Sequence, residues 1–248
     1  MKHIKNIAVL LFLSIVVCMT QACSQDEDID DMQNCIDNYN ADMAIIVNPI
    51  TLSGSILIDP DLNGYTYIAN PQILSDNKMN QKGQRIFYTY STIPQSIGAD
   101  NIPYITIIQV NKVLTKEPVL LEENNTKDYG ADPIDISGQS ISKAHLNLRY
   151  TILNGGNQLI AHTINLVIAK DAQPDAQGYL SAELRHDAAG DLQINANSGY
   201  VSFTLENMPG FKEGTLKGFK IKTRTIKNGT DIVEVTMNNN KKSLNFNI

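Results

Sequence analysis

The chain has 248 residues, 42% of them hydrophobic and 19% charged, with a formal net charge of −6 and three cysteines. That length suits one large or two ordinary β domains with a full core. The acidic balance excludes nucleic acid as the main partner.

The chain opens on an export signal. Lys2 and Lys5 precede the apolar run Ile7–Met19, which ends in Thr20-Gln21-Ala22-Cys23. The run is too short to cross a bilayer as a stable helix, has a basic flank, and places the small Ala22 just before the cut. Residues 1–22 are therefore expected to be a lipoprotein signal peptide, with Cys23 carrying the lipid at the head of the mature chain. The acyl chains would anchor the protein at roughly 0.8 kcal/mol per buried methylene. A cleaved signal without lipid is the alternative, because Thr20 and Gln21 are poor matches to the residues usual before such a cysteine. Residues 23–42 carry Asp26, Glu27, Asp28, Asp30, Asp31, Asp37 and Asp42 and no Lys or Arg. A run of like charge stays solvated, so these residues read as an acidic flexible tether. Cys18 leaves with the signal and Cys23 takes the lipid, so Cys35 has no partner for an intrachain disulfide.

From Ala41 onward apolar residues alternate with a period of two, and no stretch of a dozen residues shows helical spacing. The folded part should be all-β. Strand-like runs at Met43–Ile50, Leu52–Ile58, Tyr65–Ile68, Arg85–Ile93 and Tyr104–Leu114 match the size and strand count of a small Greek-key barrel of the oligonucleotide/oligosaccharide-binding (OB) type, over residues 43–117. The chain divides near Thr115-Lys116-Glu117-Pro118. After a polar stretch, Glu122 to Asp132, runs follow at Ala144–Leu153, Gln158–Ala169, Tyr179–His186, Tyr200–Leu205, Leu216–Ile226, Ile232–Met237 and Ser243–Ile248. Their spacing predicts an antiparallel β-sandwich over residues 118–248. Four turn signals, Asn63-Gly64, Asn154-Gly155-Gly156-Asn157, Ala189-Gly190-Asp191 and Asn228-Gly229, are each expected to join antiparallel neighbours.

Several short motifs occur in a suggestive order: Lys82-Gly83-Gln84-Arg85-Ile86, Val113-Leu114-Thr115-Lys116, Asp132-Pro133-Ile134, Leu146-Asn147-Leu148-Arg149-Tyr150, His162-Thr163-Ile164-Asn165-Leu166-Val167, Leu184-Arg185-His186-Asp187 with Gly190-Asp191, and Val201-Ser202-Phe203. Together, and over the whole mature chain, they resemble the NigD-like lipoproteins of Bacteroidota. The resemblance implies an N-terminal OB-type barrel, a C-terminal β-sandwich and no enzyme activity. It also suggests a link to bacteriocins, through the gene neighbourhood that gives the family its name. The acidic residues after Cys23 look like the signal that sends such lipoproteins to the outer leaflet.

Candidate chemistry is sparse. Asp59-Pro60-Asp61-Leu62-Asn63-Gly64 matches the first half of a calcium loop, but Asn70 stands where a bidentate Glu is needed, and a hairpin turn explains every residue. His162 and His186 fall in phase with inward apolar residues. They could share a metal with Asp187 or Asp191, but the favoured reading has each satisfied by a carbonyl or carboxylate. His145 belongs outside. No Gly-x-Ser-x-Gly elbow, His-Glu-x-x-His helix or cysteine in the folded part supports a nucleophile or metalloenzyme.

Two surface features are candidate ligand-binding sites. Lys220, Lys222 and Arg224 alternate on one strand and project from one face, where they would meet an anionic glycan, a lipid phosphate or an acidic protein, or merely discourage edge pairing. Tyr65 and Tyr67 share a face, as do Tyr88 and Tyr90, and such rings could stack on sugars or peptide or lie half-buried at a junction. The scarcity of aromatics and the absence of tryptophan count against a stacked-ring carbohydrate platform. The sequence thus points to a lipid-anchored envelope protein, outer-membrane and surface-exposed, that binds an envelope protein or glycan without catalysis or cofactor. A bacteriocin immunity or inhibitor protein is the alternative, ahead of a metal-dependent or glycan-active enzyme.

Overall fold

The computed structural model describes residues 40–50, 54–157, 159–227, 229–237 and 245–246. The expected signal peptide, Cys23 and the tether as far as residue 39 lie outside the described residues, as do Leu52, Asn228 and most of the expected last strand.

The first elements are β1 (Asn40–Asn48), β2 (Ile56–Pro60), β3 (Thr66–Ile68), a short helix α1 (Gln72–Asp76), β4 (Arg85–Ile97) and β5 (Pro103–Lys116). Antiparallel pairs β1–β2, β2–β3, β1–β4 and β4–β5 and the parallel pair β3–β5 close these strands into a ring. This is the five-stranded barrel expected from the sequence. Ile46, Ile58, Ile68, Ile86, Tyr88 and Ile107 fill its core, and α1 adds Leu74. The helix was not foreseen because five residues are too few to display a period. Asn70 pins its start to β5, donating to the Ile107 carbonyl (2.7 Å) and accepting from the Ile107 N–H (2.9 Å).

The sandwich is built from β6 (Val119–Leu121), β7 (Ile134–Ser142), β8 (His145–Asn154), β9 (Thr163–Ala169), β10 (Tyr179–Asp187), β11 (Asn195–Thr204), β12 (Gly218–Arg224), β13 (Thr230–Thr236) and β14 (Asn245–Phe246). One sheet runs β13-β12-β10-β9-β6, and the other continues from β14 through β7, β8 and β11 to β5. Leu148, Leu166, Leu184, Phe203, Phe219 and Ile221 are among the residues buried between them. Strand β5 belongs to both halves: Ile86–Ile97 of β4 pair along most of it, while its last residues, Val113–Lys116, run parallel to Tyr200–Phe203 of β11.

Three expectations are corrected. The tether does not reach Asp42, because β1 begins at Asn40 and Asp42 is fully buried. Of the four turns, Asn63-Gly64 lies between antiparallel partners, and the strands on either side of the last, β12 and β13, pair antiparallel. The segments at 154–157 and 189–191 instead cross between sheets, since β8 and β9, and β10 and β11, lie in different ones. Strand β7 was missed because its hairpin to β8 turns on Lys143 (φ 42°) and Ala144 (φ 60°). Two left-handed residues make the turn a hairpin needs, but neither is the Gly or Asn that announces one.

Arg85, Ile86, Phe87 and Tyr88 are all buried, so β4 has no solvent face here. Ile86 and Tyr88 point into the barrel core, while Phe87 packs with Met43 and Val113 on the opposite side and stacks on Tyr200 of β11 (4.3 Å between ring centroids). Beside this contact lies a buried polar network. Arg85 forms a two-pronged pair with Asp61, Nη2 to Oδ2 at 2.6 Å and Nη1 to Oδ1 at 3.2 Å. It also donates to Asn147 Oδ1 (2.9 Å) and to Ser202 Oγ (3.2 Å). Ser202 Oγ donates to Asn147 Oδ1 (2.6 Å), and Ser142 Oγ donates to Asp61. The network joins β4 and the β2–β3 turn of the barrel to β7, β8 and β11 of the sandwich. Arg85, Asn147 and Ser202 come from three of the short motifs that carry the family resemblance.

Removing one partner of a buried ion pair strands the other charge. Arg85→Ala should therefore lower unfolding free energy by about 3–5 kcal/mol in urea titrations. Arg85→Met combined with Asp61→Asn, which removes both charges, should lose clearly less.

Candidate binding site at one end of the barrel

The β2–β3 turn, the start of β3, the middle of β4 and the start of β5 surround an open cavity of about 580 Å3, within the size range of small-molecule sites. Tyr65, Tyr88 and Tyr90 line it together with Tyr104. Tyr88 belongs to the barrel core, Tyr90 packs against it with ring centroids 5.3 Å apart, and Tyr65 is half-exposed. The sequence pairing of Tyr65 with Tyr67 does not carry into the site. Tyr67 instead stacks on Tyr104 (5.1 Å) and donates its hydroxyl to Asp100 Oδ2 (2.7 Å), which buttresses the wall from behind. That bond raises the Tyr67 phenol and lowers the Asp100 carboxyl. Sequence reasoning missed Tyr104. The parallel pairing of β3 with β5, which sets Tyr104 opposite Tyr67, is what brings it to the site.

Under Tyr88 and Tyr90 lies Asp42, directly across from Tyr88 in the β1–β4 ladder. Its oxygens accept the N–H groups of Met43 (2.7 Å) and Leu62 (3.2 Å). Burial, with the Asp61 carboxylate adding to it, pushes Asp42 up to about 7 despite these bonds and Lys143. Arg85 serves Asp61 and does not bond to Asp42, so one guanidinium stands against two carboxylates. Burial also raises the Tyr88 and Tyr90 phenols.

The other sequence candidates are occupied by neighbours. Asp59 pairs with Lys143 and Asp61 with Arg85, so the calcium-like loop already spends its carboxylates on cations of the chain. Lys220 bonds Asp175 (2.7 Å), Lys222 reaches Glu183 (3.3 Å), and Arg224 donates to the Ala131 carbonyl (3.0 Å). The basic stripe therefore forms a laced surface. Burial would raise the Glu183 carboxyl, but Arg185 and Lys222 hold it low, and Lys220 lowers Asp175 in the same way. Lys220 and Lys222 also rim a shallow apolar patch floored by Val167, Ala169, Ala182 and Ile232.

His162 and His186 meet each other. Nδ1 of His162 lies 2.9 Å from Nε2 of His186, the outer nitrogen of His162 lies 3.1 Å from Asp191, and that of His186 lies 3.0 Å from the Pro133 carbonyl. Burial lowers His186, and the Gly155 N–H and His162 lower Asp191. The relay fastens the 130–133 segment and the β10–β11 connection to the foot of β9. Gly130 is required there, since a Cβ would come within 2.3 Å of the His186 carbonyl. Among the described residues, no group of three or more His, Cys, Asp and Glu side chains is arranged to hold a metal.

Residues 117–237 match the NigD-like C-terminal beta sandwich domain. The sandwich half of the chain is a NigD-like C-terminal domain. Its fold is similar to that of a protein of unknown function from Bacteroides vulgatus (19% identity, TM-score 0.62, covering 81% of this chain and 91% of that one). A NigD-like immunity protein from Bacteroides caccae aligns at 16% identity and TM-score 0.54, over 79% of this chain and 90% of its own. A candidate lipoprotein from Bacteroides fragilis aligns at 11% identity and TM-score 0.56, over 81% and 98%. At such identities the likeness shows the fold alone, and it extends over barrel and sandwich together. No curated protein matches the chain.

Asp42 makes stability depend on pH. Its folded value near 7 exceeds the unfolded value near 4, so the folded state holds the extra proton between them. The stability of the wild type relative to Asp42→Asn should thus be greatest below pH ~4 and fall as pH rises to ~7. The fall should be on the order of a few kcal/mol and should level off above that range, as measured by denaturant titration at a series of pH values.

Proposed function

We propose that this protein is an outer-membrane lipoprotein, exposed at the cell surface, that binds an envelope ligand without catalysing a reaction. The observation that carries the reading is the tyrosine-lined cavity at the end of a barrel fixed to the sandwich. It is concave, partly apolar and held by bonded neighbours, which are the properties of a binding site. Among the groups that acid–base or metal chemistry would recruit, Asp61 is held by Arg85, His162 and His186 bond each other, Asp191 and a carbonyl, and Asp42 is fully buried beneath the tyrosines, accepting two backbone N–H groups. The anchor is supported by the basic flank, the short apolar run and Ala22-Cys23, and by a fold shared with the candidate lipoprotein of Bacteroides fragilis. The acidic residues after Cys23 support export to the outer leaflet.

A second reading, capture of a bacteriocin by an immunity protein, draws support from the name of the Bacteroides caccae protein of the same fold. Protection of bacteriocin-sensitive cells on expression separates it from the first.

In cells fed radiolabelled palmitate, the wild type should take up label, fractionate with the outer membrane and be cleaved by protease added to intact cells. Cys23→Ala should take up none and leave the membrane fraction. Unlabelled wild-type protein in the cytosol or medium would overturn the anchoring.

A further inference from the structure

Resting on the reading of the barrel end as a binding site, we propose that the site takes a neutral sugar, with hydroxyls placed against tyrosine hydroxyls and side-chain amides. Fourteen residues line the cavity and none is charged. Charged residues make up 19% of the chain, so a lining of that size drawn at random would hold two or three. Four of the ten tyrosines are gathered there instead, with Asn63, Asn101, Thr66 and Thr92 among them. A ligand bearing phosphate, carboxylate or amine would leave its charge without a counterpart on entering such a site. The occupant is therefore uncharged.

Tyr88 separates a sugar from an apolar peptide side chain. Its residue is only 1% exposed, yet its hydroxyl bonds to no described residue. No buried side-chain polar atom among the described residues lacks a partner, so that hydroxyl is not sealed off, and Tyr88 lines the cavity. The neighbouring Tyr90 hydroxyl has one long contact, from Asn63 Nδ2 at 3.4 Å. A hydrocarbon group seated here would cover both hydroxyls, leaving that of Tyr88 unpaired and that of Tyr90 with only its long contact, which is costly. A sugar hydroxyl can donate to and accept from each. Tyr65, 52% exposed at the rim, offers a ring face to the apolar C–H side of a pyranose. The neutral amides of Asn63 and Asn101 can read further hydroxyls, since an amide presents a donor and an acceptor together.

The chain has no tryptophan, so its fluorescence comes from the ten tyrosines, four of which line the site. The mature protein is applied to an array of neutral and acidic glycans, and the best neutral oligosaccharide is then titrated by fluorescence and calorimetry. Binding should be confined to neutral glycans and be unchanged between low and high salt. Tyr65→Ala and Tyr88→Phe, with melting temperatures close to wild type, should each weaken it at least tenfold. Tyr67→Phe, behind the wall, should weaken it less. Preference for acidic glycans, a salt-dependent affinity, equal affinity in the two site variants, or no neutral glycan bound would each overturn the proposal. Retention on purified envelopes is measured alongside. If the array is blank but retention is lost with Tyr65→Ala, the sugar is wrong and the binding site stands. If neither responds, the binding reading falls too.

Discussion

The Arg85–Asp61 pair is the interaction on which the arrangement of this molecule depends. A guanidinium buried to 1% exposure is tolerable only if every donor finds an acceptor at once, and here the acceptors come from both halves. Asp61 comes from the barrel's β2–β3 turn, and Asn147 and Ser202 come from two adjacent strands of the sandwich. Apolar contact alone, through Met43, Phe87 and Val113, would allow the surfaces to slide. The fixed fork of the arginine allows one placement. Burial acts at the barrel end as well, raising the second carboxylate nearby, Asp42, with the Asp61 charge adding to it.

This placement sets the frame for the candidate site. The β2–β3 turn that supplies Asp61 also supplies wall residues Asn63 and Gly64, and β4 supplies Arg85 three and five residues before Tyr88 and Tyr90. The cavity is thereby built from segments whose other ends are tied into the sandwich. The histidine relay does comparable work within the sandwich, fixing loops that would otherwise cross between sheets with few contacts. The acid, base and basic residues that attract attention in the sequence are in this way part of the frame, and the barrel-end cavity is lined by uncharged groups.

Strands with one wet face were plain in the sequence, because alternation reports burial on one side. Most barrel strands, β8 and β10 were placed within a few residues on that ground, and strand count and spacing supplied the order of the halves. What escaped had physical reasons. Strand β7 enters its hairpin through Lys143 and Ala144, which adopt φ values that sequence rules assign to Gly and Asn. The crossings at 154–157 and 189–191 carry the composition of tight turns, yet composition states only that the chain bends, and tertiary pairing decides which sheet it joins. For the site, Tyr65, Tyr88 and Tyr90 were legible as rings sharing faces, but the role of Tyr104 depends on a parallel pairing between strands separated by a helix and β4. A low aromatic content argued against a sugar platform, but it is an average over the chain and says nothing of four rings brought to one place. The lysines of β12 were legible as a stripe, but not the carboxylates of other segments that neutralise two of them.

Strand β5 has a bearing on how the halves can be separated in evolution or by a protease. The recognised sandwich segment starts at residue 117, one position after β5 ends. A chain cut there would carry β11 with its Val113–Lys116 neighbour gone, a raw row of backbone donors and acceptors open to any passing strand. The barrel would in turn keep a strand whose tail has nothing to lie against. The two halves therefore share their fate: a cut between them exposes an unpaired strand edge on β11.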